Sequence, residues 1–147
     1  MKMRERDILR TVDANCNRTR EALRVVEDVV RFCHEDPGLS RRLKRERHAI
    51  SKSCDRILKR NLRGLRARDT AADPGRDSMT SGEAARGNVE EILLSNFRRA
   101  EEGLRVLEEL SKLVDVGASR LFKRSRFRVY SLEKDCLLAM EHRRAKD

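Results

Sequence analysis

The sequence predicts an all-α protein: a four-helix bundle built from two duplicated helical hairpins with a long central linker. Three observations carry this. Charged residues are 41% of the chain and aromatics 3%, with no Trp and two Pro, which suits helices better than strands rich in aromatic and β-branched side chains. The apolar residues, mainly Leu, Val, Ile and Ala, recur at helical spacing. The chain also repeats itself. Residues 15–32, NCNRTREALRVVEDVVRF, return at 96–113 as NFRRAEEGLRVLEELSKL. A shift of 81 positions (96 − 15) lays Asn15, Arg18, Glu21, Leu23, Arg24, Val25 and Glu27 on Asn96, Arg99, Glu102, Leu104, Arg105, Val106 and Glu108. Farther along the shift is 79 (123 − 44), and Lys44, Arg45 and Arg47 fall on Lys123, Arg124 and Arg126.

The elements follow in order. A chain of 147 residues fits a single helical domain and can bury a core. The first helix is expected from about Glu5 to His34, where Asp36, Pro37 and Gly38 break it. Leu39, Leu43, Ile50 and Ile57 make the apolar stripe of a second helix ending near Leu62. Repeat one thus covers about 5–62, the linker about 63–87 and repeat two about 88–141. In the second copy one helix starts near Asn88 and breaks around Asp115 to Gly117. The last runs through Leu121, Phe122, Val129, Leu132 and Cys136 to about Met140. The linker contains a Pro-Gly pair, small residues and alternating charge, and is longer than a tether between hairpins requires, which favours a functional role.

At about 100° per residue, Ala22, Val25, Val26, Val29 and Cys33 are expected to form the buried face of the first helix, with Asn15 and Arg18 in the same arc. Asn96 and Arg99 share the arc of Gly103, Val106, Leu107 and Leu110. A guanidinium on a core face is costly unless paired, so its recurrence points either to a polar pocket near one end of the bundle or to structural pairing with another helix. Glu21, Arg24, Glu27 and Arg31, and likewise Glu102, Arg105, Glu108 and Lys112, are placed on the outer surface as ion-paired support, with Glu21 and Glu102 the candidates for substrate contact.

The formal net charge of +10 suits phosphate-bearing partners. Arg47 and Arg126, with Lys44 and Lys123 one turn before them, are candidate phosphate ligands, since Arg offers two donors and Lys a point charge. The linker adds Arg68, Asp69 and Asp73. Carboxylates beside phosphates suit Mg²⁺, so Asp69 and Asp73 are candidate metal ligands, although Asp73 also fits as the opener of the Pro74-Gly75 turn.

Other signals narrow the field. There is no GxxxxGK[ST] loop and no GxGxxG fingerprint. Cys16, Cys33, Cys54 and Cys136 form no CxxC pair, and Cys33 reads as a small core residue. His34, His48 and His142 lack metal-ligand spacing. No run approaches a membrane span, so a cytoplasmic, reducing setting is the expectation. Nucleic-acid binding is disfavoured because no reading motif or aromatic-rich basic patch accompanies the charge.

The segments VDANCNRTREALRVVEDVVRF, RDTAAD, SNFRRAEEGLRVLEEL and FKRSRFRVYSLEK resemble an all-helical family of thiamin biosynthesis, the second type of phosphomethylpyrimidine kinase. That domain occurs alone or fused ahead of thiamine-phosphate synthase, and the resemblance, nearly chain-long, implies a stand-alone version. It implies transfer of the ATP γ-phosphoryl group to hydroxymethylpyrimidine phosphate, with Mg²⁺ expected alongside ATP. Asn15, Arg18, Asn96, Arg99, Arg68, Asp69, Lys123 and Arg126 match family-like positions; of these, the candidates for catalysis are Asp69, to position Mg²⁺ or the substrate hydroxyl, and Arg99, to clamp phosphate. The linker departs from the usual pattern in reading DTAADPGRD. For a pyrimidine ring, Phe97, Phe127 and Tyr130 are the stacking candidates, with ordinary packing favoured for either Phe. Thiamine-phosphate synthase and, in a homo-oligomer, a second copy of the chain are the candidate protein partners. A non-catalytic module that binds a thiamin precursor or docks a synthase is the alternative.

Overall fold

The computed structural model describes residues 3–59, 62–81 and 85–146. The described elements are α1 (Glu5–Phe32), α2 (Pro37–Leu58), the short α3 (Arg63–Ala67), α4 (Val89–Ser111) and α5 (Val116–Arg144). No strand occurs among the described residues, and no helix is long and apolar enough to cross a membrane.

Local chemistry fixes where these helices start and stop. After α1, Glu35 takes a left-handed φ of 48°, which turns the chain. Asp36 then caps α2, its carboxylate accepting from Leu39 N at 2.9 Å, with Pro37 preset for the first helical position. Asp115 caps α5 in the same way, accepting from Ala118 N at 3.0 Å. Asp36 and Asp115 are equivalent in the repeat, so the cap is duplicated with the helices. At α4, Asn88 accepts from Glu91 N at 2.9 Å, and the Glu91 carboxylate accepts from Gly87 N at 2.7 Å.

The four long helices pack as a bundle in which α1 neighbours α2 and α4, and α5 neighbours α4 and α2. Cross-links give the directions. Arg47–Glu27 and the Cys16–Cys54 disulfide make α1 and α2 antiparallel; Arg126–Glu108 and Arg144–Glu90 do so for α4 and α5; Arg42–Asp135 and Arg56–Asp115 do so for α2 and α5. Hence α4 also runs against α1 and begins at the opposite end of the bundle from where α2 stops. The linker must therefore cross the bundle's length. The 22 residues of α2 extend about 33 Å at about 1.5 Å per residue, which about ten extended residues would span. The linker's length is partly a topological necessity and partly surplus. Its first part is ordered as α3, against α1 and α2, with Gly64 and Ala67 buried.

Leu23, Val26, Leu43, Ile50, Leu93, Phe97, Leu104, Leu107, Phe122 and Val129 are fully buried and form the centre of the core. Val25 and Val106 are instead 39% and 36% exposed, and Cys33 is exposed, contrary to the face read from the sequence. The buried arc of α1 is centred on Ala22, Leu23, Val26 and Val30, because α1 lies between α2 and α4 and must serve both.

A second correction concerns Glu27 and Glu108, placed on the outer surface by periodicity. Both are buried, at 2% and 5% exposure, and each receives the arginine of its own hairpin. Arg47 Nε donates to Glu27 at 2.8 Å, while Arg126 donates to Glu108 through Nε at 3.0 Å and Nη2 at 2.9 Å. The Cys16–Cys54 disulfide spans 38 residues of sequence with a Cα–Cα distance of 6.1 Å. A disulfide is not what the reducing setting expected from the sequence would favour. Of the other two, Cys33 is exposed and Cys136 is buried, its thiol pushed up to about 12 by that burial.

Candidate functional site

Where α1 meets α4, the sequence places a glycine. A Cβ at Gly103 would collide with Thr19 Oγ1 and lie 3.6 Å from the Asn15 carbonyl, so only Gly permits this approach. Beside this contact opens a solvent-facing cleft of about 540 Å³, lined by Asn15, Arg18, Arg99, Glu102, Gly103 and Val106. Its volume lies within the usual range for small-molecule sites, about 300–1,000 Å³. Each repeat contributes an arginine to this cleft, but Arg18 and Arg99 are exposed rather than on the buried face read from the sequence, and the cleft lies midway along α1 and α4 rather than near one end of the bundle.

The cleft's chemistry is polar and cationic. Arg18 is exposed and no partner engages it among the described residues. Arg99 is exposed on the facing helix. The Asn15 amide is buried, its NH₂ donating to the Thr11 carbonyl at 2.9 Å, which leaves Oδ1 as its free acceptor. Glu102 supplies the carboxylate. Thr19 Oγ1, just beneath Gly103, is buried without a partner.

The other candidates lie elsewhere. Asn96 donates to the Ile92 carbonyl at 2.8 Å, the counterpart of the Asn15 bond, but does not line the cleft. Arg47 and Arg126 hold the buried carboxylates described above, which gives them a structural partner within each hairpin. Arg68 forks onto Asp13 at 2.7 and 2.8 Å; this hydrogen-bonded pairing raises its pKa and pins the linker's start to α1. Arg10 Nη2 donates to the Asp69 carbonyl at 2.7 Å beside it, while the Asp69 carboxylate accepts from Ala72 N at 3.1 Å. Asp73 accepts from Gly75 N at 2.9 Å, which is the turn-opening role. Lys123 is exposed on α5. Neither Asp69 nor Asp73 lines the cleft, and no group of three or more His, Cys, Asp or Glu poised to hold a metal occurs among the described residues. Phe97 is core, as expected, whereas Phe127 is 55% exposed and meets Tyr130 edge-on at 5.9 Å on the surface of α5.

Residues 10–135 match the family model described as the ThiD2 family. The chain belongs to the ThiD2 family. Among curated proteins it is 36% identical over 135 residues to a thiamine-phosphate synthase of Nostoc punctiforme, covering 92% of this chain and 37% of that protein. It is 41% identical over 130 residues to the thiamine-phosphate synthase of Synechocystis, covering 88% of this chain and 36% of that one. The synthase of Rhodopirellula baltica is 33% identical over 135 residues, covering 92% of this chain and 36% of its own length. The chain thus spans little more than a third of the curated relatives it matches. No solved structure matches it significantly.

All six residues lining the cleft of this ThiD2 chain fall inside the matched range. Sequence reasoning found Asn15, Arg18, Arg99 and Glu102 but not the contact of Gly103 with Thr19. The signal was a small-residue exchange in the repeat, Ala22 against Gly103. Asp13, which anchors the linker, was also missed, because its partner is 55 residues away.

Proposed function

We propose that this ThiD2 chain acts in thiamin biosynthesis as a phosphomethylpyrimidine kinase, transferring the ATP γ-phosphoryl group to hydroxymethylpyrimidine phosphate. The observation that carries the reading is the cleft shared by Arg18 and Arg99, one guanidinium from each repeat, in a chain whose family relatives are named as thiamine-phosphate synthases. An oxygen of the substrate's phosphate monoester attacks Pγ, the bond between Pγ and the β,γ-bridging oxygen breaks, and ADP leaves. Near neutral pH that nucleophile is already ionised, so the step needs no strong base. It needs alignment of two anions and neutralisation of the charge between them. Arg18, without a protein partner, and Arg99 across the cleft are the groups for this. Glu102 and the Asn15 oxygen are acceptors for an amino group on the pyrimidine ring.

A magnesium ion arriving with ATP fits these donors, because Mg²⁺ takes one or two carboxylates together with phosphate oxygens and water. Glu102 is the carboxylate within the cleft that would hold it, which would leave the Asn15 oxygen as the acceptor for the ring's amino group. Mg²⁺ would add charge neutralisation at the phosphates. The deciding assay couples ADP release to NADH oxidation with the pyrimidine monophosphate and Mg²⁺-ATP. Substrate-dependent ADP formation is expected, and its absence from folded protein rejects the reading.

A second reading is a module that binds a thiamin precursor or docks a synthase without catalysis. The missing nucleotide motif and the relatives' naming for another activity favour it. Calorimetry separates the two: precursor binding without ATP binding supports the module.

A further inference from the structure

The edge of the bundle opposite the α1–α4 cleft, where α2 packs on α5, carries a cationic trough. One open cavity of about 640 Å³ runs along the start of α2, lined among others by Arg41, Arg42, Lys44 and Arg45. A second, of about 410 Å³, shares Arg42 and Arg45 with it and reaches α5 at Arg128, with Glu46 also in its wall. Arg41, Lys44 and Arg45 have no hydrogen-bond or ion-pair partner among the described residues. Arg42 is held only by Asp135, in a pair about two-fifths exposed on each side, which solvent makes easy to exchange. Asp36 also lines this cavity, and its carboxylate is taken up in capping the start of α2.

Glu46 shows that more than charge is at work. It is 6% exposed, its Oε2 lies 3.5 Å from Arg128, and its buried Oε1 has no partner. A buried acceptor left open is costly unless something donates to it. Glu46 corresponds to Ser125 in the second repeat, so this carboxylate has no counterpart there. A simple anion would satisfy the arginines and leave Glu46 repelled. The occupant that fits both is a phosphate ester that also offers an amino or hydroxyl donor.

We propose that the α2–α5 trough is a second ligand site, for a small organic phosphate carrying a hydrogen-bond donor. Its phosphate lies against Arg42 and Arg45 and its donor on the Glu46 carboxylate. This site is separate from the α1–α4 cleft, because the two lie on opposite edges of the bundle, and it does not rest on the kinase reading.

Calorimetry at low salt with O-phosphoethanolamine, and with inorganic phosphate as control, tests this. Arg18→Met protein is used throughout to suppress binding at the cleft. Saturable one-to-one binding of O-phosphoethanolamine is expected, at least about threefold tighter than inorganic phosphate. Arg45→Met, at an exposed position that does not threaten folding, should weaken both probes by about tenfold. Glu46→Gln should weaken O-phosphoethanolamine alone. The proposal is overturned by absence of saturable binding, by equal affinity for the two probes, or by wild-type affinity in Arg45→Met. Preferential retention of a DNA duplex over both probes would overturn it in favour of a nucleic-acid surface.

Discussion

Replacing Gly103 by Ala tests the helix contact beneath the cleft. Ala is the better helix former by about 1 kcal/mol, so propensity alone predicts stabilisation. The added methyl, however, would strike Thr19 Oγ1, which belongs to a β-branched, fully buried side chain with little room to turn. Overpacking of this kind costs about 1–3 kcal/mol. The net expectation is a loss of about 0–2 kcal/mol, or a melting temperature lower by roughly 3 °C for each kcal/mol. Thr19→Ala removes the colliding oxygen, which is itself buried without a partner. In Thr19→Ala the Gly103→Ala change should therefore become stabilising, with a coupling of about 1–2 kcal/mol in the double-mutant cycle. Thermal unfolding followed by circular dichroism at 222 nm measures all four proteins. A cycle without coupling, or a Gly103→Ala protein more stable than the parent, would refute the contact as the reason for this glycine. Gly103→Ala should also spread α1 from α4 and lower turnover in the coupled assay, whereas the double variant should recover it.

The remaining predictions concern charge and redox. Arg18→Met keeps an apolar stem and should lower kcat/KM by two orders of magnitude or so while leaving the melting temperature within about 2 °C, because Arg18 is exposed and unpartnered; unchanged kinetics would remove it from the site. Glu27→Gln and Glu108→Gln should each cost about 2–4 kcal/mol in urea unfolding, since each strands an arginine only 18% or 13% exposed; losses below about 1 kcal/mol in both would mean the pairs are screened by water. Burial, and then the neighbouring Glu133 carboxyl, push Glu101 up to about 8. A raised carboxyl pKa stabilises the fold below the unfolded value near 4.5 and loses that contribution as pH climbs through 8. The melting temperature should accordingly fall between pH 5 and pH 8, and Glu101→Gln should flatten that slope by about 1 kcal/mol after allowing for solvent screening; an unchanged slope would count against the Glu101–Glu133 contact. Thiol titration of denatured, unreduced protein should find two free cysteines, Cys33 and Cys136, and reduction should lower stability by about 2–4 kcal/mol for a 38-residue loop; four reactive thiols would refute the Cys16–Cys54 bond.

The sequence by itself determined the all-helical fold and the helix boundaries to within a few residues, and it singled out Arg18 and Arg99, though for the buried face rather than an open cleft. Periodicity, the Asp36 and Asp115 caps and the internal repeat are all local signals, legible because a helix satisfies its backbone within one segment. Local periodicity could not place Val25, Val106, Glu27 and Glu108, because a helix with two neighbours buries a wider arc, centred on where those neighbours lie. Nor could it show that Arg47 and Arg126 serve buried carboxylates, or that Cys16 meets Cys54, since each partner comes from another helix. The linker's length belonged to the tertiary structure as well: only once α4 is seen to begin at the far end of the bundle must the chain cross it. Spacing along a helix names the face a side chain occupies, but the packing of the other helices decides whether that face meets core, carboxylate or open cleft.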